Sequence, residues 1–189
     1  QAANMAIDRA AMVAMLGGMA LPAKGMVNEG HPWFGRPTVD LSYDPDRAKR
    51  LLAEAGFGPR NPVKTKFIIS PSGSGQMQPL PMNELIQQNY RDVGIELEFE
   101  VMDWEALRTR RRSGAAAPEN RGLHGINNSW AFWDPDIGLL GPAQSAAAGG
   151  SGFNCGGYSD AKADELCLKA RQTFDTAAQD AVLAELHGH

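Results

Sequence analysis

Residues 64–101 restrict the fold of this chain more than any other stretch. Lys64 to Ser70 contains Phe67, Ile68 and Ile69 in a short run that reads as a strand, and Ser72-Gly-Ser-Gly75 follows as a flexible turn. From residue 79 to 93, Met82, Leu85, Ile86, Tyr90 and Val93 recur at helical spacing, and Gly94 supplies a stop. Residues 95–101, Ile-Glu-Leu-Glu-Phe-Glu-Val, then alternate strictly, which predicts a strand with one buried face and one acidic, wet face. A strand, helix, strand order of this kind favours a right-handed crossover and a parallel or mixed sheet.

The flanking sequence extends the pattern. Asp103 can cap a helix over 104–112, and a Gly- and Pro-bearing loop leads into a third strand over 123–129. Upstream, residues 44–56 spell a helix with Asp44 as N-cap, Pro45 in the first turn and Gly56 at the left-handed end. Ala48, Leu51, Leu52 and Ala55 fall on its apolar face. Residues 2–16 read as one Ala- and Met-rich helix, broken in charge only at Asp8-Arg9 and stopped by Gly17-Gly18. Between 21 and 42 the Pro and Gly punctuation leaves no room for a long regular element. Past a Gly-rich loop at 149–157, a helix over 159–173 carries Ala163, Leu166, Cys167 and Ala170 on one face. Asp175-Thr176 with Gln179 resembles a capping box for a last helix through 186. The expected fold class is therefore α/β, a mixed or parallel sheet flanked by helices, and 189 residues suit a single domain over 1–189.

Composition narrows the function. A net charge of −4 argues against a nucleic-acid partner, and no run approaches the roughly 18 apolar residues of a spanning helix. Gln1 is not an initiator Met and the last residues stop as a helix finishes, so both ends are expected to be cut from a longer protein. The two cysteines, Cys155 and Cys167, are too few and too far apart for a zinc knuckle; packing as thiols is favoured over a disulfide. His31, His124, His187 and His189 show no metal spacing, and no cofactor is implied. An enzyme reading rests only on Cys155 as a nucleophile with His124 as a base, in a hydrolase-like α/β domain. Ser72-Gly-Ser-Gly75 lacks the Lys-Ser/Thr ending of a phosphate loop. The basic run Arg108, Arg110, Arg111 and Arg112 suits a solvated helix end, where cations meet the negative end of the dipole.

Chemistry concentrates at 122–142, where two of the chain's four Trp stand beside carboxylates at the exit of the third strand. Ligands of open α/β sheets sit beyond strand ends. Trp130, Phe132 and Trp133 offer flat apolar area and Asn127, Asn128 and Ser129 offer polar groups, while the loop 153–158 can add a second edge. Asp134 has two readings, a ligand-amine partner or the start of a helix before Pro135, of which the cap is favoured.

Four segments carry a resemblance to a known family. Ala3-Asn-Met-Ala-Ile-Asp-Arg-Ala-Ala-Met-Val13 holds an A-I-D-R helix, and Gly18-Met-Ala-Leu-Pro-Ala-Lys-Gly25 the turn that follows it. Tyr43-Asp-Pro-Asp-Arg-Ala-Lys-Arg-Leu-Leu-Ala-Glu-Ala-Gly-Phe57 is similar to the pattern Y-D-P-x-K-A-K-x-L-L-x-E-A-G-Y, with Arg47 and Phe57 in place of its Lys and second Tyr. Val93-Gly-Ile-Glu-Leu97 followed by a Trp and Asp-Pro segment completes the order. The chain thus resembles the extracytoplasmic solute-binding proteins of ABC transporters, peptide, dipeptide and nickel-type group, family 5. The resemblance implies the C-terminal ligand-binding lobe of a periplasmic-binding-protein type II architecture, with N-terminal lobes missing. It further implies a non-enzymatic protein, periplasmic or lipid-anchored, that captures a peptide or related small solute and delivers it to the membrane permease subunits. In peptide-binding members an Asp in a W-x-x-D-x-x-D-P-x arrangement holds the ligand amine. Asp134-Pro135 matches the D-P, whereas Ala131 or Phe132 stands near the earlier Asp.

Overall fold

Asp side chains set most of the helix starts. In the computed structural model, which describes residues 1–38, 42–129, 134–148 and 153–189, Asp8 Oδ1 accepts from the Ala11 N–H at 2.9 Å, Asp44 Oδ1 from Arg47 at 2.8 Å and Asp103 Oδ1 from Ala106 at 3.0 Å. Each carboxylate satisfies one donor that the first helical turn leaves free. Asp8 changes the expectation for the N-terminus. Instead of one helix there are two, α1 (Ala2–Ala6) and α2 (Arg9–Met15), with Ile7 extended between them. The Asp8 N–H donates to Asn89 Oδ1 at 2.9 Å, and Arg9 Nη1 covers the freed carbonyls of Asn4 and Ile7. An acidic cap with a tertiary partner outweighs the helix propensity of the flanking Ala and Met.

The described residues gather into two compact units, each with its own core. The first comprises Gln1–Pro22, Val39–Leu107 and Gly122–Ser129. It holds α1, α2, α3 (Pro45–Glu54), β1 (Val63–Ile69), α4 (Pro79–Val93), β2 (Ile95–Val101), the start of α5 (Trp104–Ser113), and β3 (Gly125–Asn127). The strands form a parallel sheet in the order β2-β1-β3, with Val63 opposite Ile95, Ile69 opposite Val101, and Phe67 opposite Gly125. The parallel alternative of the sequence reading is the one realised, and β3 is shorter than the expected 123–129. On one face Ile95 and Leu97 pack with Met5, Ala6, Ala48, Leu52, Tyr90 and Val93. Gly125 lets the Phe67 ring lie across β3, since a Cβ there would stand 2.7 Å from Phe67 Cε1. The other face changes along the strands. Lys66 and Glu98 pair across it at 2.9 Å in solvent near the amino ends, whereas Ile68 and Ser70 are fully buried toward the carboxyl ends.

The second unit comprises Ala23–Thr38, Arg108–Arg121 and Trp130–His189. Its described part contains a π-helical turn (Asp136–Leu140) continued by α6 (Gly141–Ala143), then α7 (Ala161–Gln172) and α8 (Thr176–Gly188). Ala163, Leu166, Cys167 and Ala170 of α7 pack with Leu139, Leu140, Val182, Leu183 and Leu186, so the apolar face read from the sequence is the buried one. The supposed capping box is only half formed. Asp175 accepts from Ala178, but Gln179 lies one position too far along to reach back; its Nε2 donates instead to the Ala170 and Thr173 carbonyls at the end of α7. Residues 21–38 contain no helix or strand, as their punctuation predicts. Gly35, at a φ of +62°, lies against the Ala184 backbone, and His187 Nε2 accepts the Met26 N–H at 2.9 Å.

Asp160 starts α7 by accepting from Ala163 at 2.8 Å and also meets His189 Nε2 at 2.9 Å. The Ala163 N–H chiefly, and then His189, hold its carboxyl below the usual carboxylate range. A lowered folded value means that the carboxylate contributes stability above the unfolded value of about 3.9, a contribution lost as pH falls through the folded one. Asp160→Asn keeps the cap but does not titrate. Its thermal midpoint, followed by circular dichroism from about pH 5 to about pH 2, is expected to fall less steeply than that of the parent. Parallel curves would remove Asp160 from the acid response.

Candidate functional site

Beyond the carboxyl ends of β1 and β3 the first unit gathers polar side chains. β1 connects to β2 on one side while β3 pairs on the other, so the gap between β1 and β3 is the point where the strand order reverses, the usual place for a ligand in an open parallel sheet. Ser70, directly after β1, is fully buried, and its Oγ donates to the Ser72 carbonyl at 2.6 Å. The turn over 72–75, read from sequence as flexible, is tied down. The Ser129 N–H donates to the Ser74 carbonyl at 3.0 Å, and Ser74 is buried. Gly73 and Gly75 both take a φ of +77°; a Cβ on Gly73 would stand 2.9 Å from Trp104 Cβ, and one on Gly75 would strike Ser129 Oγ. Glycine is required at both because the backbone is left-handed and the neighbours are close.

Three carboxamides form a chain next to this turn. Asn83, 1% exposed within α4, donates through Nδ2 to the Pro79 carbonyl at 2.7 Å. Its Oδ1 accepts from Asn127 Nδ2, and Asn127 Oδ1 in turn accepts from Gln76 Nε2 at 2.9 Å. The orientation of every amide follows from the first bond. A carbonyl can only accept, so Asn83 must present its NH2 to Pro79 and its oxygen to Asn127, and the same logic passes along to Gln76. The remaining atom is Gln76 Oε1, buried and without a hydrogen-bond partner among the described residues. Such an unmet acceptor costs about 1–3 kcal/mol.

Of the side chains singled out by sequence, Asn127 belongs to this chain of amides, Asn128 donates to the Ser129 carbonyl at 2.8 Å, and Ser129 closes the 72–75 turn. Trp130, Phe132 and Trp133 lie outside the described residues. In the second unit one oxygen of Asp134 accepts from the Ile137 N–H at 3.0 Å and the Asp134 carbonyl accepts from Gly138, starting the π-helical turn. Asp136 pairs with Arg171 at 2.8 Å. The loop 153–158 is pinned by buried Asn154, which donates to the Gln144 and Tyr158 carbonyls and accepts from the Tyr158 N–H. Cys155 and Cys167 are both free thiols; Cys167 lies on the Leu140 carbonyl at 3.7 Å, and burial pushes its thiol up. His124, the base of the enzyme reading, is used in the sheet: its Nδ1 accepts the Lys66 N–H at 3.1 Å. Arg110, from the basic run, holds Asn120 Oδ1 at 2.8 Å, and Asn120 in return bonds the carbonyls of Arg110 and Gly114. The sequence reading missed Gln76 and Asn83. The available signal was an Asn one turn after Pro79 inside a helix, where Asn is unfavourable unless its amide has a partner.

A parallel α/β unit with an ordered polar cluster at its strand-reversal point has the form of a small-ligand binding unit. The chain belongs to the bacterial extracellular solute-binding proteins, family 5 Middle, whose family model matches residues 1–145. It is 32% identical over 160 residues to Di/tripeptide-binding protein 4 of Pseudomonas aeruginosa (strain UCBPP-PA14), covering 85% of this chain and 28% of that protein. It is 30% identical over 172 residues to Heme-binding protein A of Haemophilus influenzae, covering 90% of this chain and 30% of that one. Its fold superimposes on the crystal structure of a dipeptide-binding protein from Pseudoalteromonas sp. SM9913 in complex with Met-Leu, with a TM-score of 0.82 at 24% identity over 99% of this chain and 36% of the other. The chain therefore spans about a third of the length of the relatives it matches. Nothing in these comparisons supports the hydrolase alternative built on Cys155.

Proposed function

We propose that this chain is part of the substrate-binding component of an ABC transporter, which captures a peptide or related small solute outside the cytoplasm and delivers it to the permease subunits. It works without catalysis. The observation that carries the reading is the amide cluster at the β1 and β3 carboxyl ends, in a chain of this family related to a di/tripeptide-binding protein. Asn127, Asn128 and Ser129 are the part of the ligand surface that the first unit supplies; Trp130, Phe132, Trp133 and Asp134 are assigned to it from sequence alone. On this reading residues 1–189 are the C-terminal lobe of a longer protein, lipid-anchored or free in the periplasm, whose N-terminal lobes supply the opposing wall. A ligand that touches both walls favours the closed arrangement by its differential affinity.

Titration of the isotopically labelled chain with trialanine, followed by amide NMR, tests the proposal. Binding is expected in the millimolar range, since one wall supplies only part of the contacts, with shifts concentrated at 127–129 and near Gln76. Absence of any saturable shift there up to the solubility of the peptide would sink it.

A further inference from the structure

Gln76 Oε1 is the one end of the amide chain that no described residue meets. Its identity as an oxygen is imposed by the Pro79 carbonyl three bonds away, through Asn83 and Asn127, and neither Asn can turn over without setting acceptor against acceptor. Rotating the Gln76 amide itself would set its oxygen against Asn127 Oδ1. The group is thus a fixed, buried acceptor in a residue that as a whole is only half-buried, next in sequence to the 72–75 turn. Leaving such an atom unmet is unfavourable, which makes the site selective for a partner that brings a donor.

Resting on the function proposed above, we infer that Gln76 is a specificity-determining residue whose Oε1 accepts a hydrogen bond from a ligand N–H, either a peptide amide or an ammonium group. Asn83 and Asn127 fix its polarity, so the site discriminates against ligands that present only acceptors there.

The test uses trialanine, N-acetyl-trialanine, which has no ammonium, and the trialanine analogue with both internal amides replaced by esters, which has no amide N–H. Each is titrated by NMR into the labelled chain and into Gln76→Met. Trialanine is expected to bind Gln76→Met about tenfold more weakly. At least one analogue should bind the parent chain about tenfold more weakly than trialanine and lose the dependence on Gln76. The analogue that does so identifies the donor, and because its binding is measured on the parent chain this arm does not depend on the variant folding. Equal trialanine affinity for parent and Gln76→Met, or full dependence on Gln76 retained by both analogues, overturns the inference while shifts at 127–129 still uphold the binding function. No saturable trialanine binding to the parent chain overturns both.

Discussion

Asn83→Leu is expected to destabilise the first unit by about 2–4 kcal/mol, because it leaves Asn127 Nδ2 without its acceptor and puts a larger side chain at a buried position. Leu keeps the branching of Asn but is larger, so overpacking at this buried position adds to the lost hydrogen bonds. The Pro79 carbonyl loses the side-chain donor of Asn83 but keeps the helical N–H donor, whereas Asn127 Nδ2 loses its acceptor. The unmet amide costs about 1–3 kcal/mol, offset in part by the apolar side chain on a helix face shared with Tyr90 and Val93. Asn83→Asp separates the two bonds. It can still accept from Asn127, but it faces the Pro79 carbonyl without a donor and buries a charge, so near neutral pH it is expected to be at least as destabilising as Leu. Urea unfolding monitored by circular dichroism measures both. A loss under about 1 kcal/mol for Leu would mean that the amide chain is satisfied by solvent and that Gln76 Oε1 is not fixed in polarity.

How far such features can be read from sequence depends on whether their partners are local. The caps at Asp44, Asp103 and Asp175 were legible because the carboxylate and the N–H that it accepts from lie three residues apart. The strand, helix, strand order was legible for the same reason, since periods of 2 and 3.6 are local properties. Asn83 shows the opposite case. Its bond to Pro79 is local, but its bond to Asn127 crosses 44 residues, and a period-based reading of α4 selects Met82, Leu85 and Ile86 as the inner face and passes over it. The N-terminal break at Ile7 was illegible likewise, because the Asp8 N–H finds its acceptor on Asn89, 81 residues away. The segment 122–142, richest in candidate chemistry, contributes β3, Asn127 to Ser129, the turn begun by Asp134 and two core leucines to the described structure.

Ligand identity lies deeper still. Relatives of this one chain are named for di- and tripeptides and for heme, chemically unlike solutes, so the shared fold cannot carry the choice between them. Side chains set on a common fold can carry that choice. On the inference drawn above, a fixed acceptor such as Gln76 Oε1 is suited to that task, because one carboxamide would set what the site rejects.

Leu166→Ala is expected to cost the second unit about 3–5 kcal/mol, toward the upper end for a buried Leu. Leu166 has no exposed surface, and its cluster draws on α7, α8 and the π-helical turn together. Three elements fix the surrounding side chains, among them Leu139, Leu140 and the fully buried Leu183, so the site has little freedom to collapse into the space left by the truncation. The residual cavity therefore adds to the lost transfer energy. Leu168, two residues along the same helix, is 55% exposed and provides the contrast: Leu168→Ala removes the same atoms from solvent-facing surface and is expected to change stability by no more than about 0.5 kcal/mol. Since helix propensity changes equally in the two variants, the difference between them isolates burial. Urea unfolding by circular dichroism, with hydrogen exchange of the α7 and α8 amides locating the effect, distinguishes them. Equal losses at 166 and 168 would show that α7 does not pack by the face that Ala163, Leu166, Cys167 and Ala170 define.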